Sequence, residues 1–250
     1  MGCASQLWGA TVTASLRDIK VYTTYPHDCS YLDDEQAVTL FVDPQQCVDQ
    51  ALYSRLSAMG FRRSGSHIYR PHCEECKACI PSRVPVADFC MSRGQRRTWN
   101  RNQDLVVEET PDISDDPAYQ LYCNYIEQRH KDGDMYPPER EQYISFLNNP
   151  WGCTRYYRFY TEDGSQRSLV AIAVADTLED GQSAIYTFFD PAQARRSLGT
   201  YTLLWQIENA RELGLSYLYL GYWIRDCQKM SYKSSYRPLE LRINNCWAAV

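Results

Sequence analysis

No apolar run in this 250-residue chain approaches the ~20 residues of a membrane-spanning helix, so a transmembrane segment is excluded. The first twenty residues lack the basic start and long apolar run of a secretory leader, and the expected location is therefore the cytoplasm. Internal repeats and low-complexity tracts are also missing, which leaves no basis for a solenoid. Net positive charge is missing too. The chain carries 26 Lys and Arg against 31 Asp and Glu, a balance of −5 that argues against a general nucleic-acid binder. Acidic residues are scarce locally: residues 55–101 hold ten Lys and Arg but only three Asp and Glu. A basic zone in an acidic protein predicts a local site for a polyanion. Cysteine is not scarce. The 11 cysteines are odd in number and follow no leader, so reduced, mostly buried thiols are expected rather than a disulfide framework. An apolar share of 44% is enough for a sizeable core, and the 20 tyrosines suit half-wet surfaces and stacking on bases.

Residues 59–86 crowd polar, cationic and thiol groups together and read as loop-rich, with short strands expected over 68–70 and 83–86. They contain Arg62 and Arg63 in a Gly-flanked turn, Cys73, Cys76 and Cys79 in a C-x-x-C-x-x-C run, and Arg83 in an extended Pro-Ser-Arg-Val-Pro-Val segment. Three such thiols can ligate one metal, and a closed tetrahedral site needs a fourth ligand, for which Cys29 is the first candidate and His72, Cys90 and His27 compete. Structural zinc, an iron–sulfur cluster and unliganded thiols all remain open on spacing alone. Just beyond, Arg93, Arg97 and Arg101 fall at i, i+4 and i+8 of an expected helix, with Arg96 beside them. Like charges on one helix face repel, so this arrangement suits a bound phosphate chain.

The remaining signals outline an α+β protein. A strand over 37–42 leads into a helix over 44–59, with Asp43 as cap, Pro44 at its first position and Gly60 as its stop. Helices are expected over 117–130 and 139–148, and strands over 154–161, 168–174 and 184–189, the last two joined by a turn at Asp180-Gly181. The run after Asp190-Pro191 reads Arg196-Ser197-Leu198-Gly199 and opens a helix to about residue 213, followed by a strand over 215–223. A strand, then Arg-x-x-Gly, then a helix N-terminus offers backbone N–H groups to an anion. It resembles the turn by which GNAT acyltransferases hold their donor. In the tail, Lys229, Tyr232 and Lys233 interleave cation and aromatic, which suits a nucleotide or chain end lying across the sheet.

Taken together, CSYL at 29–32, GFRRSG at 60–65, YRP with the cysteine run at 69–79, IPSRVPV at 80–86, QRR at 95–97, YTFFDP at 186–191, RSLG at 196–199 and the 221–238 tail resemble the bacterial aminoacyl-tRNA–protein transferases, relatives of the eukaryotic arginyltransferase. The resemblance covers about residues 20–240, in order. It implies a GNAT-like acyltransferase domain, set over 106–250, joined to an N-terminal Cys-containing α+β region over 1–105. It also implies transfer of an amino acid, leucine in this branch, from leucyl-tRNA to a protein or peptide beginning with Asp or Glu, which marks that protein for degradation. No membrane partner is expected. The donor is already an activated ester, so no cofactor is required for transfer, and proximity supplies much of the acceleration. Asp190 and Tyr186 are the candidates for orienting the amine. Arg62, Arg63 and Arg83 are the candidates for the acceptor's carboxylate. Arg93, Arg96, Arg97, Arg101, Arg196, Ser197, Gly199, Lys229, Tyr232 and Lys233 are the candidates for tRNA. The alternatives are an acetyl-CoA-dependent acetyltransferase on the same fold and a non-catalytic tRNA-binding module.

Overall fold

The computed structural model describes residues 19–250. A small antiparallel sheet comes first, built from β1 (Val21–Thr23), β4 (Thr39–Val42), β5 (Arg62–Ser64) and β6 (His67–Pro71) in the order β1-β4-β6-β5. Between β1 and β4, β2 (His27–Asp28) and β3 (Gln36–Ala37) pair with each other alone. Helix α1 (Gln50–Ala58) starts six residues after the expected position. Asp49 is its cap, accepting from the Leu52 N–H at 2.7 Å, whereas Asp43 closes a local turn onto the Gln45 N–H. Leu52, Tyr53 and Leu56 pack with Leu40, Val42, Phe61 and Ile68 in the core of this layer.

The large sheet has eight strands: β7 (Ile80–Pro85), β8 (Val106–Thr110), β9 (Thr154–Asp163), β10 (Gln166–Thr177), β11 (Gly181–Phe189), β12 (Tyr217–Trp223), β13 (Glu240–Ile243) and β14 (Cys246–Ala249). Their order is β14-β13-β7-β12-β11-β10-β9-β8. Residues 61–86, expected to be loop-rich with short strands over 68–70 and 83–86, supply three strands, of which β5 alone was not expected. β7 lies inside the large sheet although it precedes residue 105. Proline at 81 and 85 is tolerated because β13 pairs with β7 only at Ser82 and Arg83.

Side chains alternate along β10. Ile172 and Val174 face α3 (Asp116–Arg129) and α4 (Arg140–Leu147), while Ala171, Ala173 and Ala175 face the layer that holds α2 (Arg93–Arg101) and α5 (Leu198–Glu212). Asp115 caps α3 on the Ala118 N–H at 3.0 Å. Ser92 and Gln95 cap α2 reciprocally, in a capping box. The short α6 (Gln228–Ser231) runs into a 3-10 turn at Tyr232–Ser235 before β13.

One irregularity shapes the function. β11 and β12 are parallel neighbours joined by the α5 crossover, yet they pair only over Gly181–Ser183 and Tyr217–Tyr219. Immediately beyond, each strand carries an extra residue against its other neighbour. Ile185 is skipped in the β10–β11 register, and Leu220 in the β12–β7 register. Bulges bend and over-twist the strands that hold them, so two at the same level drive β11 and β12 apart.

Candidate active-site cleft

The parted ends of β11 and β12 open a cleft of about 900 Å³. Its walls include Ala184 to Thr187 and Phe189 from one strand and Leu220 to Tyr222 from the other. The N-terminus of α5 (Ser197, Gly199 and Thr200) forms part of its floor. Ser197 sits in the left-handed region at φ +54 and gives no side-chain cap, so the positive end of the helix dipole faces the cleft without a carboxylate over it. Gly199 lets this turn approach Phe189, whose ring lies 3.1 Å from where a Cβ would be.

The basic side chains on the walls are Arg62, Arg63, Arg129, Lys229 and Lys233, with His130 beside them; among the described residues no Asp or Glu lines the cleft, and Asp132 reaches Lys229 from outside it at 3.5 Å. Arg62 reaches in from the small sheet and plugs the point of divergence. Its Nη1 donates to Ser183 Oγ at 2.9 Å and its Nη2 to the Ala184 carbonyl at 2.6 Å. Gly221 makes room for it: at φ +78, a Cβ there would stand 2.9 Å from Arg62 Nε. Lys233 is 4% exposed. Its Nζ donates to the Tyr222 carbonyl and to Met230 Sδ. Burial first, and the Arg62 charge second, push its ammonium down to about 7. His130 is also held below its ordinary value, by burial and then by Lys229. Tyr186 lines the cleft, and its buried hydroxyl has no hydrogen-bond partner among the described residues.

Several sequence expectations are corrected here. Arg63 borders the cleft, but its guanidinium is fully buried against Asp176, with Nε 2.5 Å from Oδ2 and Nη2 2.9 Å from Oδ1. Tyr53 and Thr154 bond the same carboxylate, and the Gly65, Phe146 and Leu147 carbonyls take further N–H groups of the arginine. No donor is left for a substrate. Arg83 is 8% exposed, pairs with Glu240 at 2.7 Å, and stacks 3.4 Å over Tyr217 and 4.3 Å over Trp247. Of the three arginines expected to hold an acceptor, only Arg62 faces the cleft. Arg196 turns away to a bidentate pair with Asp104 at 2.8 and 2.9 Å. Asp190 caps the 3-10 turn Pro191–Arg196 through the Ala192 N–H at 3.0 Å and is not a cleft residue. Lys233 is too deeply buried for a phosphate contact at the surface.

Ser197, Gly199, Lys229 and Tyr232 do line the cleft, and Tyr232 is 51% exposed. Arg93, Arg96 and Arg97 are exposed on α2, and none forms an ion pair among the described residues. Arg101 donates to the Arg195 carbonyl, which fastens the end of α2 to the turn at the rim of the cleft. Cleft residues outside the expected set are Arg129 and His130, at the end of the helix expected over 117–130, and the aromatic wall of Tyr31, Tyr69, Tyr125 and Tyr222. No local pattern marks these, because they come from four separate elements.

Cys29, Cys73, Cys76 and Cys79 share a second hollow of about 820 Å³, which meets the cleft at Tyr31, Tyr69 and Tyr222. Burial first, then the neighbouring thiols, push the Cys79 thiol up to about 12. Among the described residues, no three His, Cys, Asp or Glu side chains gather into a group that could hold a metal ion. As they stand, the thiols do not fit a zinc or cluster site.

Comparison with known proteins gives matches over most of the chain. Residues 27–97 match the family model for the N terminus of arginine-tRNA-protein transferase, and residues 117–243 match that for its C terminus. A protein named aspartate/glutamate leucyltransferase from Saccharophagus degradans is 55% identical over 232 residues, covering 93% of this chain and 97% of its own length. One of the same name from Stutzerimonas stutzeri is 53% identical over 236 residues, covering 94% of this chain and 99% of its own length. Among solved structures, that of FemX superposes with a TM-score of 0.48 at 9% identity, covering 86% of this chain and 82% of the other.

Proposed function

Given that the chain belongs to the arginine-tRNA-protein transferase family, we propose that it transfers leucine from leucyl-tRNA to the α-amine of proteins beginning with Asp or Glu. The observation that carries this reading is the cleft itself: about 900 Å³, lined by the cations Arg62, Arg129 and Lys229, with no carboxylate among the described residues that line it. Both proposed substrates bring negative charge to it, one as a nucleotide phosphate and the other as an acidic side chain. A cleft of one sign concentrates ligands of the other.

Each part of the cleft has a task in this reading. The α5 N-terminus and Gly199 receive the terminal nucleotide of the donor. Arg62, held rigid between the strands, takes the acceptor's carboxylate, for which a guanidinium supplies paired donors. The exposed arginines of α2 lie along the tRNA backbone, and the pairing of Arg101 with the rim turn brings that row to the mouth of the cleft. Parting of two parallel strands beside a helix N-terminus supports a GNAT-like arrangement for residues 106–250, completed by β7. The ester is attacked directly by the amine, and holding the two together supplies much of the rate, so transfer needs no cofactor. No helix among the described residues is long and apolar enough to cross a membrane, which is compatible with the cytoplasmic setting where charged tRNA is found.

The test is incubation with labelled leucyl-tRNA or arginyl-tRNA and peptides beginning with Asp, Glu or Ala. Leucine should pass to the Asp and Glu peptides and not to the Ala peptide. Equal labelling of all three peptides would remove the acidic-acceptor specificity, and tRNA binding without transfer would remove this reading in favour of a binding module.

A further inference from the structure

The amine of Lys233 is the cleft group that this reading leaves without a task. An ammonium ion removed from water normally keeps a carboxylate beside it, because an unpaired buried charge is costly. At 4% exposure, Lys233 pairs with no carboxylate among the described residues. The groups facing it are Arg62 from β5, Tyr222 from β12, Cys79 ahead of β7, Cys227 ahead of α6, and the Tyr232 ring at 5.9 Å. Burial and the Arg62 cation both disfavour a second positive charge, and the two thiols oppose them weakly. The hydrogen bonds agree. Nζ has two acceptors, the Tyr222 carbonyl and Met230 Sδ. An uncharged amine has two N–H bonds and one lone pair, so these acceptors match its donors and leave the lone pair unused on a side chain that lines the cleft.

The chemistry needs such a lone pair. When an amine adds to an ester, the tetrahedral adduct carries its extra proton on nitrogen. In that state nitrogen is the better leaving group, and the adduct falls back unless the proton is removed. We propose that Lys233 is a catalytic residue that carries this proton, taking it from the acceptor's nitrogen and giving it to the departing ribose oxygen. The nitrogen–carbonyl bond forms, the carbonyl–oxygen bond to the ribose breaks, and one proton crosses from nitrogen to that oxygen by way of Nζ. Lys233 ends uncharged, as it began, and nothing is oxidised or reduced. This role rests on the aminoacyl-transfer reading above.

Single-turnover transfer from leucyl-tRNA to an Asp-initiated peptide, measured against pH for wild type, Lys233→Gln and Lys233→Arg, tests it. Both variants should lose about 100-fold or more in rate at unchanged tRNA affinity. The acid limb that Lys233 adds to the wild-type profile should disappear in Lys233→Gln, leaving only the acceptor's own titration. In Lys233→Ala, small primary amines should restore part of the rate, which a structural role would not allow. A variant at the wild-type rate, a loss confined to tRNA affinity, or a rate loss with neither a pH change nor amine rescue would each overturn the proposal. Competitive acylation of Lys233 in the wild-type protein, followed by mass spectrometry, gives the titration of Nζ without any variant. A midpoint near neutrality supports the role and an ordinary lysine midpoint overturns it, even if every variant misfolds. Wild-type protein that transfers no leucine overturns the functional reading itself, an outcome distinct from transfer that ignores Lys233.

Discussion

Two neighbouring arginines, Arg62 and Arg63, show how one position decides between recognition and architecture. Strand alternation sends them to opposite faces of β5: Arg62 to the cleft and Arg63 to Asp176 between the two sheets. Both members of the Arg63–Asp176 pair are fully buried. Removing one leaves the other as an uncompensated charge, so Arg63→Ala should lower stability by about 3–5 kcal/mol. Urea denaturation measures this, and an apolar replacement of both partners should be milder than either single change. Lys233 predicts the opposite sign. Its folded-state value of about 7 lies below the ordinary 10.5, so the unfolded chain binds more protons across that window. The penalty is fully present below about 7 and fades as pH rises toward 10.5. Lys233→Met should therefore be more stable than wild type at neutral pH, on the order of 3 kcal/mol. The gap should close at alkaline pH in thermal melts, even though the same variant is inactive.

Two elements, α2 and the β11–β12 pair, bring charge and geometry to the mouth of the cleft. α2 displays Arg93, Arg96 and Arg97 to solvent with no acidic partner among the described residues, while Ser92 and Gln95 hold its start. Neutralising Arg96 and Arg97 together should leave the fold intact. It should weaken tRNA binding and flatten the dependence of affinity on salt by about 1.5 in the log–log slope. An unchanged slope would place the tRNA backbone elsewhere. In the β11–β12 pair the device is geometric. The bulged residues Ile185 and Leu220 sit just past the last paired rungs, and Arg62 fills the resulting notch. Neither strand builds the cleft alone.

For the molecule as a whole, the chain does not divide where its composition shifts. β7 is paired on both sides, with β12 and with β13, and α2 packs against α5. A fragment spanning 106–250 would lack a central strand as well as Arg62. It should fail to fold cooperatively, and limited proteolysis should not release it as a stable core. The cleft likewise belongs to the whole protein: Arg62 and Tyr69 come from the small sheet, Arg129 and His130 from α3, Gly199 from α5 and Lys233 from the tail.

By itself the sequence determined what depends on near neighbours. Periodicity and capping residues placed α3, α4 and α5 and strands β9 to β12 within a few positions, because those signals act over three or four residues. The ordered motifs from CSYL to the 221–238 tail carried the family, and the excess of cations over residues 55–101 pointed to the exposed arginines of α2. Tertiary structure alone decided the roles of the charges. Arg63, Arg83, Arg196 and Asp190 have the right chemistry for a site, but each is occupied by a partner or cap fixed by packing. Arg129 and His130 gained a place in the cleft, and Lys233 became a buried amine, for the same reason. Whether a cation meets solvent, a carboxylate or a substrate depends on which distant strand lies beside it, and that is settled by burial and register, which no local stretch of sequence encodes.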